Sequence, residues 1–197
     1  MEERSAAEGQ DWGKAFEWKI KGASVKQVWE VTGDFCRADK WVTSLLQSCA
    51  LLEGEPQKPG CVRRPVLHPP AEGEPPAYSL EKLLDMDELR YRYVYALLDG
   101  TLPGFSLMKD YVSTFKLSPL GIGDGADSSS AAAVNDDDDD EEKGTLLRWS
   151  FVCRPVAVLS EQQAQHIAFS LYQAAVNDLI ARLSLPNDAV TLLSTPS

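Results

Sequence analysis

Apolar positions along the chain change period twice. WGKAFEWKI, from Trp12 to Ile20, sets Phe16, Trp18 and Ile20 against Glu17 and Lys19, the alternation of a half-buried strand. After Gly22, Ser24 can cap a short helix running to Asp34, with Val25, Val28, Trp29 and Thr32 on one side. A second short helix is expected around Asp39 to Gln47, carrying Trp41, Leu45 and Leu46. The period then returns to two. Strands are predicted over Cys49–Glu55, Gly60–Leu67, Ala77–Asp85, Leu89–Leu97, Ser106–Leu117 and Thr145–Val156. The connections EPQKPG, HPPAEGEPP, DMDE and DGTLPG are turn material, and links this short imply an antiparallel meander.

The final element has helical spacing. Ser160 is a natural N-cap, and Ala164, Ile167, Ala168, Leu171, Tyr172, Ala175, Leu179 and Leu183 recur with helical period until Pro186. A helix of about 24 residues would be about 36 Å long. Seven strands, two short helices between the first and second strand, and one long terminal helix make an α+β domain. The helix must bury its stripe against one face of a curved antiparallel sheet.

One compact domain accounts for most of the 197 residues. Residues 1–11 are expected to be a loose tail, 12–184 the folded domain and 185–197 a flexible tail. The stretch from Leu120 to Gly144 is low in complexity and nearly free of large apolar side chains, so a disordered insertion is expected there. The formal charge of −11 is concentrated in it: Asp136 to Glu142 carries seven negative charges and leaves −4 for the rest of the chain. No basic stripe is left for nucleic acid or anionic membrane. The longest apolar runs, such as Val94 to Leu98, are too short to span a bilayer, and the acidic start MEERSAAEGQDW is unlike a secretory signal. A cytoplasmic monomer is expected. Cys36, Cys49, Cys61 and Cys153 contain no C-x-x-C pair and read as free, buried thiols. His68 and His166 lack ligand spacing, so no metal is expected, and without a glycine-rich phosphate loop no cofactor is expected either.

Alternation also sorts the candidate chemistry. In LRYRYVY, Tyr91, Tyr93 and Tyr95 share one face against Arg90 and Arg92, and the tyrosine face must be the inner one. Tyr111, Ser113 and Phe115 line up on the next strand, and Leu147, Trp149, Phe151 and Cys153 on the last. Phe115, Phe151 and most leucines are explained by core packing, and Ser113 and Ser150 by packing within strands. Three tyrosines on one face point instead to a cavity between sheet and helix, because their bodies are apolar and their tips bond. The strand GCVRRPV carries two consecutive arginines, of which only one can face inward: Arg63 falls with Cys61 and Leu67, Arg64 with Val62 and Val66. Alternation alone leaves both open. A buried guanidinium needs a carboxylate, and Glu81 lies on the following strand.

The element order resembles the helix-grip arrangement of the START-like superfamily, which includes polyketide cyclases/dehydratases, birch-pollen-allergen-like proteins and abscisic-acid receptors. LLEGEPQKPGCVR (51–63), LEKLLDMD (80–87), LRYRYVY (89–95), KDYVSTFKL (109–117) and RWSFVC (148–153) are similar to the plant lachrymatory-factor-synthase-like family over about residues 12–184. The resemblance implies a catalytic pair, Arg63 and Glu81, and so turns Arg63 inward. It also implies aromatic walls at Tyr93, Tyr111 and Trp149; Tyr91 joins them by alternation. Where that family carries an F-W pair before its glutamate, this chain has Ala77 and Tyr78, an altered wall with Tyr78 as its aromatic member. The implied function is binding of a small, partly apolar plant metabolite, and its isomerisation or cyclisation by proton transfer. Arg63 would hold a developing oxyanion and Glu81 shuttle the proton. The alternatives are a non-enzymatic carrier or sensor, or recruitment of a basic partner by the acidic run. The abscisic-acid receptors' gate and latch motifs are absent.

Overall fold

The structure is a computed structural model that describes residues 11–120 and 144–194. The elements follow the expected order, with shifts at some boundaries. Strand β1 (Trp12–Lys21) is followed by helix α1 (Val25–Thr32) and a 3-10 helix over Phe35–Lys40. Then come β2 (Leu46–Glu53), β3 (Val62–Leu67), β4 (Ser79–Asp87), β5 (Arg92–Gly100), β6 (Lys109–Pro119) and β7 (Gly144–Arg154). Helix α2 (Glu161–Arg182) and a short strand β8 (Val190–Leu192) complete the chain.

All pairings are antiparallel, in the order β2-β3-β4-β5-β6-β7-β1-β8, so β1 closes the meander by pairing with β7. The sheet curves around α2 in a helix-grip fold. Both α-helices begin at reciprocal capping boxes: Ser24 with Gln27, and Ser160 with Gln163. Small residues at Ala164, Ala168 and Ala175 are buried, which lets α2 lie close to the sheet. The core is strongly aromatic. Phe16, Trp18, Phe35, Tyr93, Phe115, Phe151 and Tyr172 are all almost fully buried.

Three features differ from the sequence expectation. The second short helix is the 3-10 turn at 35–40, which starts earlier than expected because the Asp34 side chain caps it through the Cys36 amide, and it ends before Trp41. Residues 88–91 form a turn rather than the start of β5, with Tyr91 at φ 51°. Among the described residues the sheet has eight strands rather than seven. The eighth comes from residues 190–192, in the stretch read as a flexible tail, and hydrogen bonds link Glu17 to Leu193 and Ser194 beside it. The acidic run, and the N-terminal tail before Asp11, lie outside the described residues.

Candidate active site

Arg63 and Glu81 are directly opposed on β3 and β4. Side chains directly opposite in an antiparallel pair share a face, and here that face is the inner one. Arg63 is 6% exposed, whereas Arg64 is exposed and places its guanidinium 4.4 Å from the centre of the Tyr78 ring. Arg63 Nε donates to Glu81 Oε2 at 2.7 Å, and Nη2 lies 2.6 Å from the same oxygen. Nη1 donates to the backbone carbonyl of Phe35. The guanidinium also lies 3.8 Å from the centre of the Phe35 ring and 5.2 Å from that of Tyr95. Glu81 receives a second support on its other oxygen, where Ser79 Oγ donates to Oε1 at 2.7 Å.

This pair forms part of the wall of a cavity of about 60 Å³ that is partly open to solvent. Tyr93, Tyr95 and Ser79 flank the charges, Trp41 and Trp149 face them, and Leu171 and Ala175 of α2 complete the apolar side. By liquid volume such a space holds roughly two waters, and by probe volume a few more. Drug-sized ligands need about 300–1,000 Å³. The hollow expected between sheet and helix therefore exists, but most of the interior is packed.

The electrostatics follow from burial. Burial disfavours the charge on Arg63, but the neighbouring Glu81 outweighs it and raises the pKa above the ordinary arginine value. The Tyr95 hydroxyl is pushed up to about 12, first by burial and then by Glu81, with Arg63 opposing. Burial also raises Tyr93 well above the usual tyrosine range, again against the pull of Arg63. The phenols at this wall are therefore neutral hydrogen-bonding groups rather than bases at neutral pH. Cys49 is raised to about 11, chiefly by burial, so its thiol is not a ready nucleophile.

Of the residues expected at the site, the structure brings Arg63, Glu81, Tyr93 and Trp149 to one cavity. It does not bring Tyr78, Tyr91 or Tyr111 there. Tyr78 pairs with Arg64, which faces the opposite side of β3 from Arg63. Tyr91 falls in the turn before β5, where alternation no longer applies, and packs edge-on against Trp29. Tyr111 is buried farther along β6, where its hydroxyl bonds that of Tyr172 and its ring stacks on Phe151. Tyr95, placed by alternation on the inner face with Tyr93, also lines the cavity, as does Ser79, which shares strand parity with Glu81 but was not singled out in the sequence. Phe35 left no such signal, because its carbonyl reaches Arg63 only through the tertiary fold.

Among the described residues no group of three or more His, Cys, Asp or Glu side chains is placed to hold a metal ion. Nor does any described helix have the length and apolarity to cross a membrane.

Comparison with known proteins agrees with this architecture. A Nitrosospira multiformis protein superposes with a TM-score of 0.61 at 20% identity, covering 91% of this chain and 99% of that one. Ginseng major latex-like protein 151 from Panax ginseng gives 0.61 at 16%, covering 89% and 99%. A Bacillus cereus protein named XoxI gives 0.60 at 20%, covering 87% and 94%. At these identities the likeness is one of fold. Residues 17–184 match the family described as polyketide cyclase / dehydrase and lipid transport, a span that includes the opposed Arg63 and Glu81 and the cavity behind them, and the chain belongs to that family.

Proposed function

We propose that the protein binds a very small, uncharged molecule in the Arg63–Glu81 cavity and moves a proton on it, an isomerase- or cyclase-type reaction like that implied by the lachrymatory-factor-synthase resemblance. The observation that carries this reading is the ion pair in the cavity wall. Arg63 has five N–H donors, three of which are used by Glu81 and Phe35, leaving two for a ligand oxygen. Glu81 Oε1 accepts from Ser79 and keeps a lone pair for a ligand proton.

Charge balance selects the ligand. Arg63 and Glu81 neutralise one another, so an added anion would bring an uncompensated charge into a desolvated site, at a cost of several kcal/mol. A neutral molecule with one carbonyl or hydroxyl group meets no such penalty. Its oxygen would lie against Arg63, and Glu81 would take a proton from a neighbouring carbon or oxygen. Negative charge would then develop on the oxygen facing the guanidinium. Returning the proton to a different atom completes an isomerisation and restores Glu81. Tyr93 and Tyr95 would orient the head group, and Trp41, Trp149 and Leu171 would enclose the body. The alternative of a lipid carrier is disfavoured by volume, since about 60 Å³ is far below what an acyl chain occupies.

Hydrogen–deuterium exchange tests this directly. Acetone and propanal are small carbonyl compounds with exchangeable protons next to the carbonyl. In deuterated buffer the parental protein should accelerate that exchange, and Glu81→Gln should lower the acceleration by roughly 100- to 10,000-fold. Equal acceleration by both proteins would remove Glu81 from the reaction.

A further inference from the structure

Trp149 lies between the cavity and a solid cluster of buried rings. Its indole stacks on Tyr172 with centroids 4.2 Å apart and planes 8° from parallel. It meets Phe115 edge-on at 5.3 Å and Trp41 at a tilt, 6.3 Å away. Its Nε1–H donates to Ser113 Oγ at 3.0 Å. Beyond it, Tyr172 packs against Phe16, and Tyr111 against Phe105 and Phe151.

The polar atoms in this cluster form one connected chain. Ser113 has a single hydroxyl proton, and its Oγ donates to the carbonyl of Ser150 at 3.1 Å. Ser113 Oγ also accepts from Trp149 Nε1–H, and it bonds the Tyr172 hydroxyl 2.9 Å away. Tyr172 in turn bonds the hydroxyl of Tyr111. Burial raises the phenols of both Tyr111 and Tyr172 well above the ordinary tyrosine value, so the chain stays protonated at neutral pH. Swinging Trp149 aside would leave a buried indole N–H unpaired, a cost of about 1–3 kcal/mol. The indole is therefore held in place through its bond to Ser113 and its stack on Tyr172.

We propose that Trp149 is the partition that limits the cavity to molecules of about three or four non-hydrogen atoms, and that Tyr172, by stacking on it, sets this size limit. The inference rests on the proposed binding site, but it concerns length selection rather than proton transfer. Tyr172 is a positioning residue that acts through Trp149. Shortening it, with Ser113 intact, opens space behind the indole and lets the ring retreat, so longer homologues of an accepted ligand gain entry.

Straight-chain alcohols from ethanol to hexanol provide the test, with binding followed by NMR titration of the Trp149 indole N–H and the Arg63 Nε–H. In the parental protein, affinity should rise about fourfold per added carbon, the increment for a buried methylene, and collapse at about butanol. In Tyr172→Leu the rise should continue for at least two further carbons. Tyr172→Phe keeps the stack and loses only the hydroxyl, and it should retain the parental cut-off. If Tyr172→Leu is not folded, Ala175→Leu supplies the converse: a side chain added to the cavity wall should move the cut-off down. An unchanged cut-off in every folded shortened or filled variant overturns the partition, as does a parental protein that binds hexanol more tightly than propanol. Binding that leaves the Arg63 signal unmoved would refute the proposed head-group site, while the cut-off still decides the partition. No binding by any of these proteins overturns both.

Discussion

Phe35 holds Arg63 in two ways: its ring lies 3.8 Å from the guanidinium carbon, and its backbone carbonyl accepts a hydrogen bond from Nη1. The ring supplies a desolvated cation–π contact and the carbonyl fixes the direction of the fork. Phe35 in turn is anchored by its amide, which donates to Gln57 Oε1 at 3.0 Å in the loop leading to β3. The 3-10 helix and the arginine strand are thereby tied together at the cavity wall. Phe35→Leu keeps the backbone bonds and most of the volume but removes the ring face. It should lower stability by about 1–2 kcal/mol in urea unfolding, most of it from the lost cation–π contact. It should also broaden the Arg63 Nε–H resonance. A variant as stable as the parent, with a sharp Arg63 signal, would show that the ring contributes nothing.

The ion pair should behave as a unit. Glu81→Leu leaves a guanidinium buried against Phe35 and Tyr95 without its carboxylate, and removing one partner of a buried pair costs about 3–5 kcal/mol. Arg63→Met combined with Glu81→Leu removes both charges and should recover most of that loss. The check is a double-mutant cycle of urea midpoints. Additive single effects would mean that the pair is not coupled across the strands.

Stability should fall in alkali, with the sign set by four buried phenols. Burial raises the pKa values of Tyr93, Tyr95, Tyr111 and Tyr172 in the folded protein, to about 12 for Tyr95. In the unfolded chain these groups return to about 10. The unfolded state then binds fewer protons above about pH 10, so unfolding becomes easier as pH rises. Their contribution is complete below about pH 10 and is lost as pH climbs through the folded values, at up to about 1.4 kcal/mol per pH unit for each tyrosine. Phenolate absorbance from these residues should therefore appear together with loss of near-ultraviolet circular dichroism. Ionisation of all four with the aromatic dichroism intact would contradict their burial.

Much of the fold was legible because it rests on local periods. The alternation of Phe16, Trp18 and Ile20 is the inner face of β1, and all three are fully buried. The Ser160 cap and the helical spacing after it match α2. Parity also kept Tyr93 and Tyr95 together, and both line the cavity. It also put Tyr91 inward, and Tyr91 packs partly buried against Trp29, but its place in the turn before β5 keeps it from the cavity. It was also too coarse for Tyr111, which shares the inner face but lies at a different height along the sheet, beyond Trp149.

The sequence by itself determined the order of elements, the inward face of most strands and the presence of one arginine that needed a carboxylate. These depend on neighbours two to four residues away, and short-range patterns encode them. Only the tertiary structure decided that Arg63 rests on Phe35, that residues 190–192 add an eighth strand, and that about 60 Å³ stays open beside the ion pair. A cavity is the small difference between the space a sheet and helix enclose and the volume of every side chain within it. That difference depends on how rings from distant parts of the chain stack, as Trp149 does on Tyr172, and no local period records it.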